Sequence, residues 1–393
     1  MNIAEDRPRA AELVGNAATE ARNRIVAVET IPLHIPLRGA FKISVGGVRP
    51  FLEVLLVRIR TADGLEGIGE TQAWRRLGSV ETLASLTEAI KTHLAPRILG
   101  RTPFDLPAIV RDMNIALDRS LYAKAPLLDA LYDLQGKILG VPLYQILGGK
   151  ARDKVGASAV VLMKDKLDDT LEGAQAFWDR GFRAFTVKIG ENAANDHVNV
   201  REIRRRFPDV LIRVDANASM SFDGALALLK KIEPYDIESA EQMIAPWDLD
   251  GMAELSRRVT IQMMADECVA TEQELLEVIK RRAATGIQTK ISKNGGIWYC
   301  RKLWTIAAAA DMRIYPGNHP TTSIGAAAVA HLAASWPGDL ADGPFAMGIS
   351  GNLEHDVVTE PLRFDGRLVP VPTGPGLGMT VDESAVSAMR VDR

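Results

Sequence analysis

From residue 155 onward the chain repeats a pattern that few folds can satisfy: a short apolar run, a turn, then a longer segment with helical spacing. The runs are Val155–Leu162, Phe182–Gly190, Val210–Asn217, Asp236–Met243, Ile261–Val269, Gly286–Lys293 and Arg313–His319, separated by stretches such as Thr170–Arg180 and Thr271–Arg282. Seven strand-then-helix units in succession demand parallel strands joined by crossover helices, because no tight hairpin can join a parallel pair. An ordinary sheet stops at about five or six strands. The series therefore predicts an α/β fold closed into a barrel of the TIM type, written (β/α)7β, with a doubly wound open sheet as the alternative.

Ahead of the repeats the text differs. Arg24 to Arg60 alternates apolar runs with Pro and Gly breaks, Asp63-Gly64 reads as a hairpin turn, and Val80–Ile98, Asp105–Leu117 and Ala125–Ile138 show helical spacing. Strands followed by helices predict a small α+β domain over 25–150, with the barrel over 151–365 and a C-terminal segment over 366–393. Residues 1–24 carry charges and alanines without an apolar run, and are expected to be a flexible, solvated leader.

Composition narrows the function classes. With 47 basic and 50 acidic residues the chain has a net charge of −3, which offers no footprint for nucleic acid and no polybasic membrane patch. Its longest apolar stretches fall short of the roughly 18 residues of a membrane span. Only Cys268 and Cys300 occur in 393 residues, so neither a disulfide framework nor a cysteine-ligated zinc is expected, and the cytoplasm is the expected location.

Chemistry recurs with the repeats. Near the C-terminal ends of consecutive strands stand Lys188, Asp215, Glu241, Asp266 and Lys290, at intervals of 27, 26, 25 and 24 residues, about one strand-helix unit each. In a barrel these ends converge on one mouth, where active sites of the fold are built. Three clustered carboxylates repel one another, and a hard divalent ion resolves the conflict. Ligation by oxygen alone suits Mg²⁺ or Mn²⁺. An ion so held can bind a substrate carboxylate and stabilise the enediolate formed when its α-proton leaves, with a neutral lysine as base.

These residues sit in motifs that resemble the enolase superfamily, specifically its mandelate racemase/muconate lactonizing enzyme family and the muconate lactonizing enzyme subgroup within it. The motifs are DGLEGIGET (63–71), LLDALYDLQGKILGVPLYQILGG (127–149), VKIG (187–190), VDAN (214–217), EQ (241–242), ADEC (265–268), KISKNGG (290–296) and GPGLGMTVDE (374–383), in order over roughly residues 25 to 385. The resemblance implies that the α+β domain caps the barrel mouth and that the C-terminal segment returns to it. It also implies that Asp215, Glu241 and Asp266 hold the metal, Mg²⁺ or Mn²⁺, and that Lys188 and Lys290 form an acid/base pair on opposite faces of a small carboxylate substrate. Asn217 and Glu267 would orient the ligands, Glu267 being able to replace Asp266, and Lys293 on the same strand tip as Lys290 would support them. A homo-oligomer, from dimer to octamer, is implied as well.

Three departures from the family pattern stand out. Thr186 occupies the first position of the family's Lys-x-Lys signature, so Lys188 must be kept neutral by the metal's charge, by Lys290 or by desolvation. Thr321 stands where muconate lactonizing enzymes carry a glutamate, which tells against muconate as substrate, and LADGPFAMG (340–348) lacks the Asp-x-Asp of dipeptide epimerases. His319 ends the seventh strand, where the mandelate racemase branch keeps a histidine base, but that branch's aspartate partner is Lys290 here. Specificity is expected in cap loops carrying Phe41, Lys42 and Gln72–Arg76, with Trp74 as a desolvating wall. The expected function is a Mg-dependent isomerase, a racemase or epimerase before a cycloisomerase. A dehydratase is the alternative, and a catalytically weak ligand-binding homologue a third reading.

Overall fold

The computed structural model describes residues 17–42, 48–73, 75–76, 79–190, 193–343, 353–364 and 366–392. Trp74 lies outside the described residues, and the side chains of Phe41 and Lys42 do as well. Of the opening segment, Ala17–Asn23 forms a helix, α1. Strands β1 (Ile25–Lys42), β2 (Val48–Thr61) and β3 (Glu66–Gln72) then form an antiparallel sheet in that order. The β2–β3 turn falls at Asp63-Gly64, with Gly64 at φ +89°, a conformation that glycine adopts without penalty. A short hairpin of β4 (Arg75–Arg76) and β5 (Ser79–Val80) leads to α2 (Leu83–Glu88), α3 (Leu106–Ala116), α4 (Leu121–Leu139) and α5 (Leu143–Ile146).

Helix α4 is the keel of this capping domain, buried along most of its length. It lies directly on β3, and the reason is in the Gly-Ile-Gly of the 63–71 motif. A Cβ on Gly67 would stand 2.2 Å from the Ala130 carbonyl oxygen and one on Gly69 2.1 Å from that of Pro126, so only glycine admits the helix backbone this close. Between the two glycines, the Ile68 amide donates to Asp133 on α4 (2.9 Å), and the same carboxylate accepts from Leu377 (2.7 Å) and Lys137 (2.7 Å). The C-terminal GPGLG loop is thereby pinned to the cap.

After β6 (Lys154–Gly156) the repeats follow: β7 (Ala159–Val161), α6 (Leu167–Asp179), β8 (Ala184–Lys188), α7 (Ala193–Arg206), β9 (Leu211–Asp215), α8 (Phe222–Ile232), β10 (Ile237–Glu241), α9 (Leu249–Arg258), β11 (Gln262–Ala265), α10 (Glu272–Arg281), β12 (Gly286–Lys290), α11 (Ile291–Asn294), α12 (Ile297–Ala309), β13 (Arg313–Gly317) and α13 (Ser323–Ser335). The strands from β7 to β13 make one parallel sheet in sequence order. The segment 341–343 bridges its two edges: Ala341 N donates to Ile314 O (3.0 Å) and Ser158 N to Gly343 O (2.6 Å). The sheet is thus curled into the expected barrel. Strand β14 (Leu368–Pro370) pairs with β6, and α14 (Glu383–Met389) ends the chain against β1.

Local signals set these elements. Helix α10 shows the logic: Thr271 Oγ1 accepts from Glu274 N (3.3 Å) while Glu274 returns a carboxylate to Thr271 N (3.0 Å), closing a capping box. Its Leu275 and Val278 face inward, each contributing roughly 1.5–3 kcal/mol by burial, while Glu277, Lys280 and Arg281 pair outside. Helix α13 differs, being alanine-rich and buried on all sides, since it is wedged between barrel and cap. Cys268 and Cys300 are both buried free thiols. Among the described residues no helix is long and apolar enough to cross a membrane.

Candidate active site

Because the strands are parallel and in register, the charged residues at their C-terminal ends become neighbours. Lys188 pairs across from Asp215, and Asp215 from Glu241. Asp266 follows one residue after β11, and Lys290 closes β12. Five residues spread over about a hundred positions of sequence therefore line one arc of the barrel mouth, with a lysine at each end and three carboxylates between.

Each carboxylate is held differently. Lys188 Nζ donates to Asp215 Oδ2 and to Asn217 Oδ1, the latter at 2.9 Å. Asn217 sits at φ +44°, a left-handed position that asparagine tolerates better than most residues, and this folds its amide back over the site. Its backbone N–H donates to Asp215 Oδ1 (2.8 Å) and its Nδ2 to Asp215 Oδ2 and Glu267 Oε1 (both 3.2 Å). Glu267 Oε2 is buried and has no hydrogen-bond partner among the described residues.

On the other flank Lys290 Nζ donates to Asp266 Oδ2 and lies 3.8 Å from Glu241 Oε1. Lys293 donates to Asp266 O (2.5 Å), Asp266 Oδ1 (2.8 Å) and Gln288 O (3.1 Å), so its three protons are all engaged and it supports Asp266. Gln242, in the left-handed region at φ +32°, holds the same loop from below: its Oε1 accepts from Asp266 N (3.1 Å) and Cys268 N (3.2 Å). Sequence reasoning passed over this glutamine, although it stands inside the Glu-Gln motif.

The electrostatics follow from burial and crowding. Burial, then the charges of Asp215 and Asp266, push the Glu241 carboxyl well above its ordinary range. Burial works against the charge on Asp266, but Lys290 and Lys293 outweigh it and hold the carboxyl well below that range. Glu267 is pushed up to about 8 by burial and by the charge of Asp266. Lys290 is raised despite burial, because Asp266, Glu241 and Glu267 surround it, so in this arrangement it is an ammonium ion. Among the described residues no three Asp, Glu, His or Cys side chains already stand as a metal-holding group. The donor set is nevertheless oxygen-only, buried and mutually repelling, with an unpartnered Glu267 oxygen beside it, which is the chemistry a hard divalent cation satisfies.

The departures from the family pattern are also placed. Thr186 is buried in the barrel lumen beneath Lys188, its hydroxyl 3.3 Å from Ser158 Oγ and its backbone across from Arg213. Thr321 is buried and donates to Glu70, a carboxylate delivered by cap strand β3. Glu70 also accepts from the Thr322 amide (3.1 Å), the Thr322 hydroxyl and Gln72 Nε2 (3.1 Å), while Gln72 Oε1 accepts from Ser292 (2.7 Å), two residues after Lys290. Cap and barrel thus share one hydrogen-bonded network beside the site. His319 is buried at the tip of β13, its ring stacked 5.8 Å from that of Tyr122, and burial followed by the charge of Lys290 keeps it neutral. Glu70, Gln72, Ser292 and Tyr122 join the site region through tertiary packing; of these only Gln72 lay in a loop expected to set specificity.

Residues 24–148 match the mandelate racemase / muconate lactonizing enzyme N-terminal domain family, and residues 169–385 the enolase C-terminal domain-like family. A chloromuconate cycloisomerase of Cupriavidus pinatubonensis is 31% identical over 353 residues, covering 86% of this chain and 93% of the relative. An N-succinylamino acid racemase of Thermus thermophilus is 31% identical over 359 residues, covering 91% and 94%. The crystal structure of muconate lactonizing enzyme from Pseudomonas fluorescens complexed with muconolactone superposes with a TM-score of 0.89 at 27% identity, covering 94% of this chain and all of that one. Two matched domains, relatives that are isomerases and a shared capped barrel lead to one conclusion: the chain belongs to the mandelate racemase/muconate lactonizing enzyme family of the enolase superfamily.

Proposed function

We propose that this protein is a divalent-metal-dependent isomerase that racemises or epimerises a small carboxylate, with an N-substituted α-amino acid as the substrate class. The observation that carries the reading is the flanking of one carboxylate cluster by two lysines on strands four positions apart: Lys188 on Asp215 and Lys290 on Asp266 and Glu241. A pair of amino groups on opposite sides of one carbon can remove a proton from one face and return it to the other. Asp215, Glu241 and Asp266, or Glu267 in place of Asp266, would hold the cation, Mg²⁺ or Mn²⁺. When bound, such an ion supplies Lewis-acid charge for the substrate's carboxylate.

The chain's own residues do the rest. The first of the charges that keep Lys290 protonated is that of Asp266, held as a carboxylate, so a cation that takes up this charge would move Lys290 toward the free amine a base requires. Lys293 and Gln242 keep Asp266 in place, and Asn217 orients Asp215 and Glu267 together. Thr321 spends its hydroxyl on Glu70, which favours the racemase reading over muconate cycloisomerisation.

The test is proton NMR in D₂O with Mg²⁺ over N-acyl amino acids, cyclic imino acids, sugar acids and muconate. Loss of the α-proton signal with an unchanged skeleton, abolished in Lys188→Ala or Lys290→Ala, is expected. An olefinic or keto product would move the assignment to a dehydratase. Exchange that survives both substitutions would sink the two-lysine reading.

A further inference from the structure

The cap contributes one side chain to the mouth that no motif announces. Tyr122 lies in the first turn of α4, at the point where that helix begins against the barrel. Two consecutive residues ahead of it, Arg119 at φ +54° and Ser120 at φ +38°, take the left-handed conformation, a sharp bend that is costly for residues other than glycine. The bend is tied down on the barrel side by Arg119, which donates to Glu274 Oε1 of α10 (2.5 Å). Tyr122 is thus set by a strained and anchored turn, independently of the cap loops.

Its surroundings are those of the site. The ring stacks on His319, with centroids 5.8 Å apart and planes 20° from parallel. The phenol lies within electrostatic reach of Lys290, Asp266 and Glu267, and burial raises its pKa, so the hydroxyl is neutral. The residue is 7% exposed, yet its hydroxyl has no hydrogen-bond partner among the described residues. That oxygen is not sealed from solvent, so its hydrogen bond is available to a ligand in the mouth.

We propose that Tyr122 is a substrate-binding residue whose hydroxyl donates a hydrogen bond to the acyl carbonyl of an N-acyl α-amino acid, on the Lys290 side of the site, with the His319 ring setting its angle. A neutral donor matches a neutral carbonyl oxygen, whereas the substrate's carboxylate is served by positive charge elsewhere in the mouth. The inference rests on the isomerase reading above and narrows its substrate class.

Tyr122→Phe is the discriminating variant, because it keeps the ring on His319 and removes only the oxygen; an unchanged thermal midpoint checks that the fold is intact. Calorimetric binding and α-deuterium exchange are measured with Mg²⁺ on N-succinyl and N-acetyl amino acids and on N-alkyl analogues that lack the carbonyl. The expected result is a three- to tenfold rise in Kd and KM for the acyl compounds, with kcat within about twofold and no change for the alkyl analogues. Equal affinity of wild type and variant for the acyl compounds overturns the inference, as does equal weakening on acyl and alkyl compounds. Binding that depends on Tyr122 without any exchange would uphold this inference while removing the isomerase reading; exchange that ignores Tyr122 would do the reverse. Wild type that neither binds nor exchanges an acyl compound overturns both.

Discussion

His331 is expected to make the stability of the cap–barrel seam depend on pH. The residue is buried in α13, where its Nδ1 accepts the Tyr144 amide (3.3 Å) and its Nε2 donates to the Leu377 carbonyl (3.2 Å). One imidazole thus joins α5, α13 and the C-terminal loop, and only the neutral ring can do so, since a proton on Nδ1 would face the Tyr144 N–H. Burial, partly offset by the Leu377 carbonyl, pushes its pKa down to about 4. In the unfolded chain it is about 6.5. Between those values the unfolded state binds the extra proton, so stability is fully present above about pH 6.5, falls as pH is lowered, and levels off below about 4. The gap corresponds to roughly 3 kcal/mol. The assay is urea denaturation at intervals from pH 7.5 to 4.5 on wild type and His331→Gln, whose amide can accept from Tyr144 and donate to Leu377 but does not titrate. Wild type is expected to lose roughly 2–3 kcal/mol more than the variant over that range. Parallel pH dependences for the two proteins would refute the reasoning.

Two further outcomes follow from the packing and the site. Gly69→Ala places a methyl 2.1 Å from the Pro126 carbonyl oxygen and forces α4 off the cap sheet, so a loss of at least ~3 kcal/mol is expected in thermal or urea unfolding. Gly64→Ala, whose new methyl meets nothing within 4 Å but must adopt φ +89°, should cost only about 1 kcal/mol; equal losses would show that contact with α4 is not the cause. Asn217→Gly keeps the left-handed backbone but removes the amide that links Lys188, Asp215 and Glu267, and calorimetry should find divalent-cation affinity roughly tenfold weaker. An unchanged affinity would mean that this amide does not orient the donors.

Much of the architecture was legible because it is encoded locally. Apolar runs of strand length, followed by capped amphipathic helices such as Thr271 with Glu274, state both the type of each element and its phase, and seven such units leave a curled parallel sheet as the economical solution. The charged strand ends were legible for the same reason: in a parallel, in-register sheet, equal spacing in sequence becomes adjacency in space, as Lys188, Asp215 and Glu241 show. The state of those groups was not legible. That Lys293 spends every proton on Asp266 and Gln288, or that Lys290 is held as an ammonium beside Asp266, depends on which atoms the fold brings within hydrogen-bond distance.

What the sequence by itself determined is therefore the repeat, the barrel and the arc of charge at its mouth, since each is a consequence of periodicity along the chain. Only the tertiary structure decided which cap residues meet that arc. Glu70 reaches Thr321 and Thr322 across some 250 positions, and Tyr122 reaches His319 across nearly 200, because Gly67 and Gly69 let α4 lie flat on β3 and because Asp129 on that helix caps the Ile297 amide at the start of α12 (2.8 Å). Such contacts are set by how closely two backbones can approach, a property of packed surfaces that no window of sequence contains.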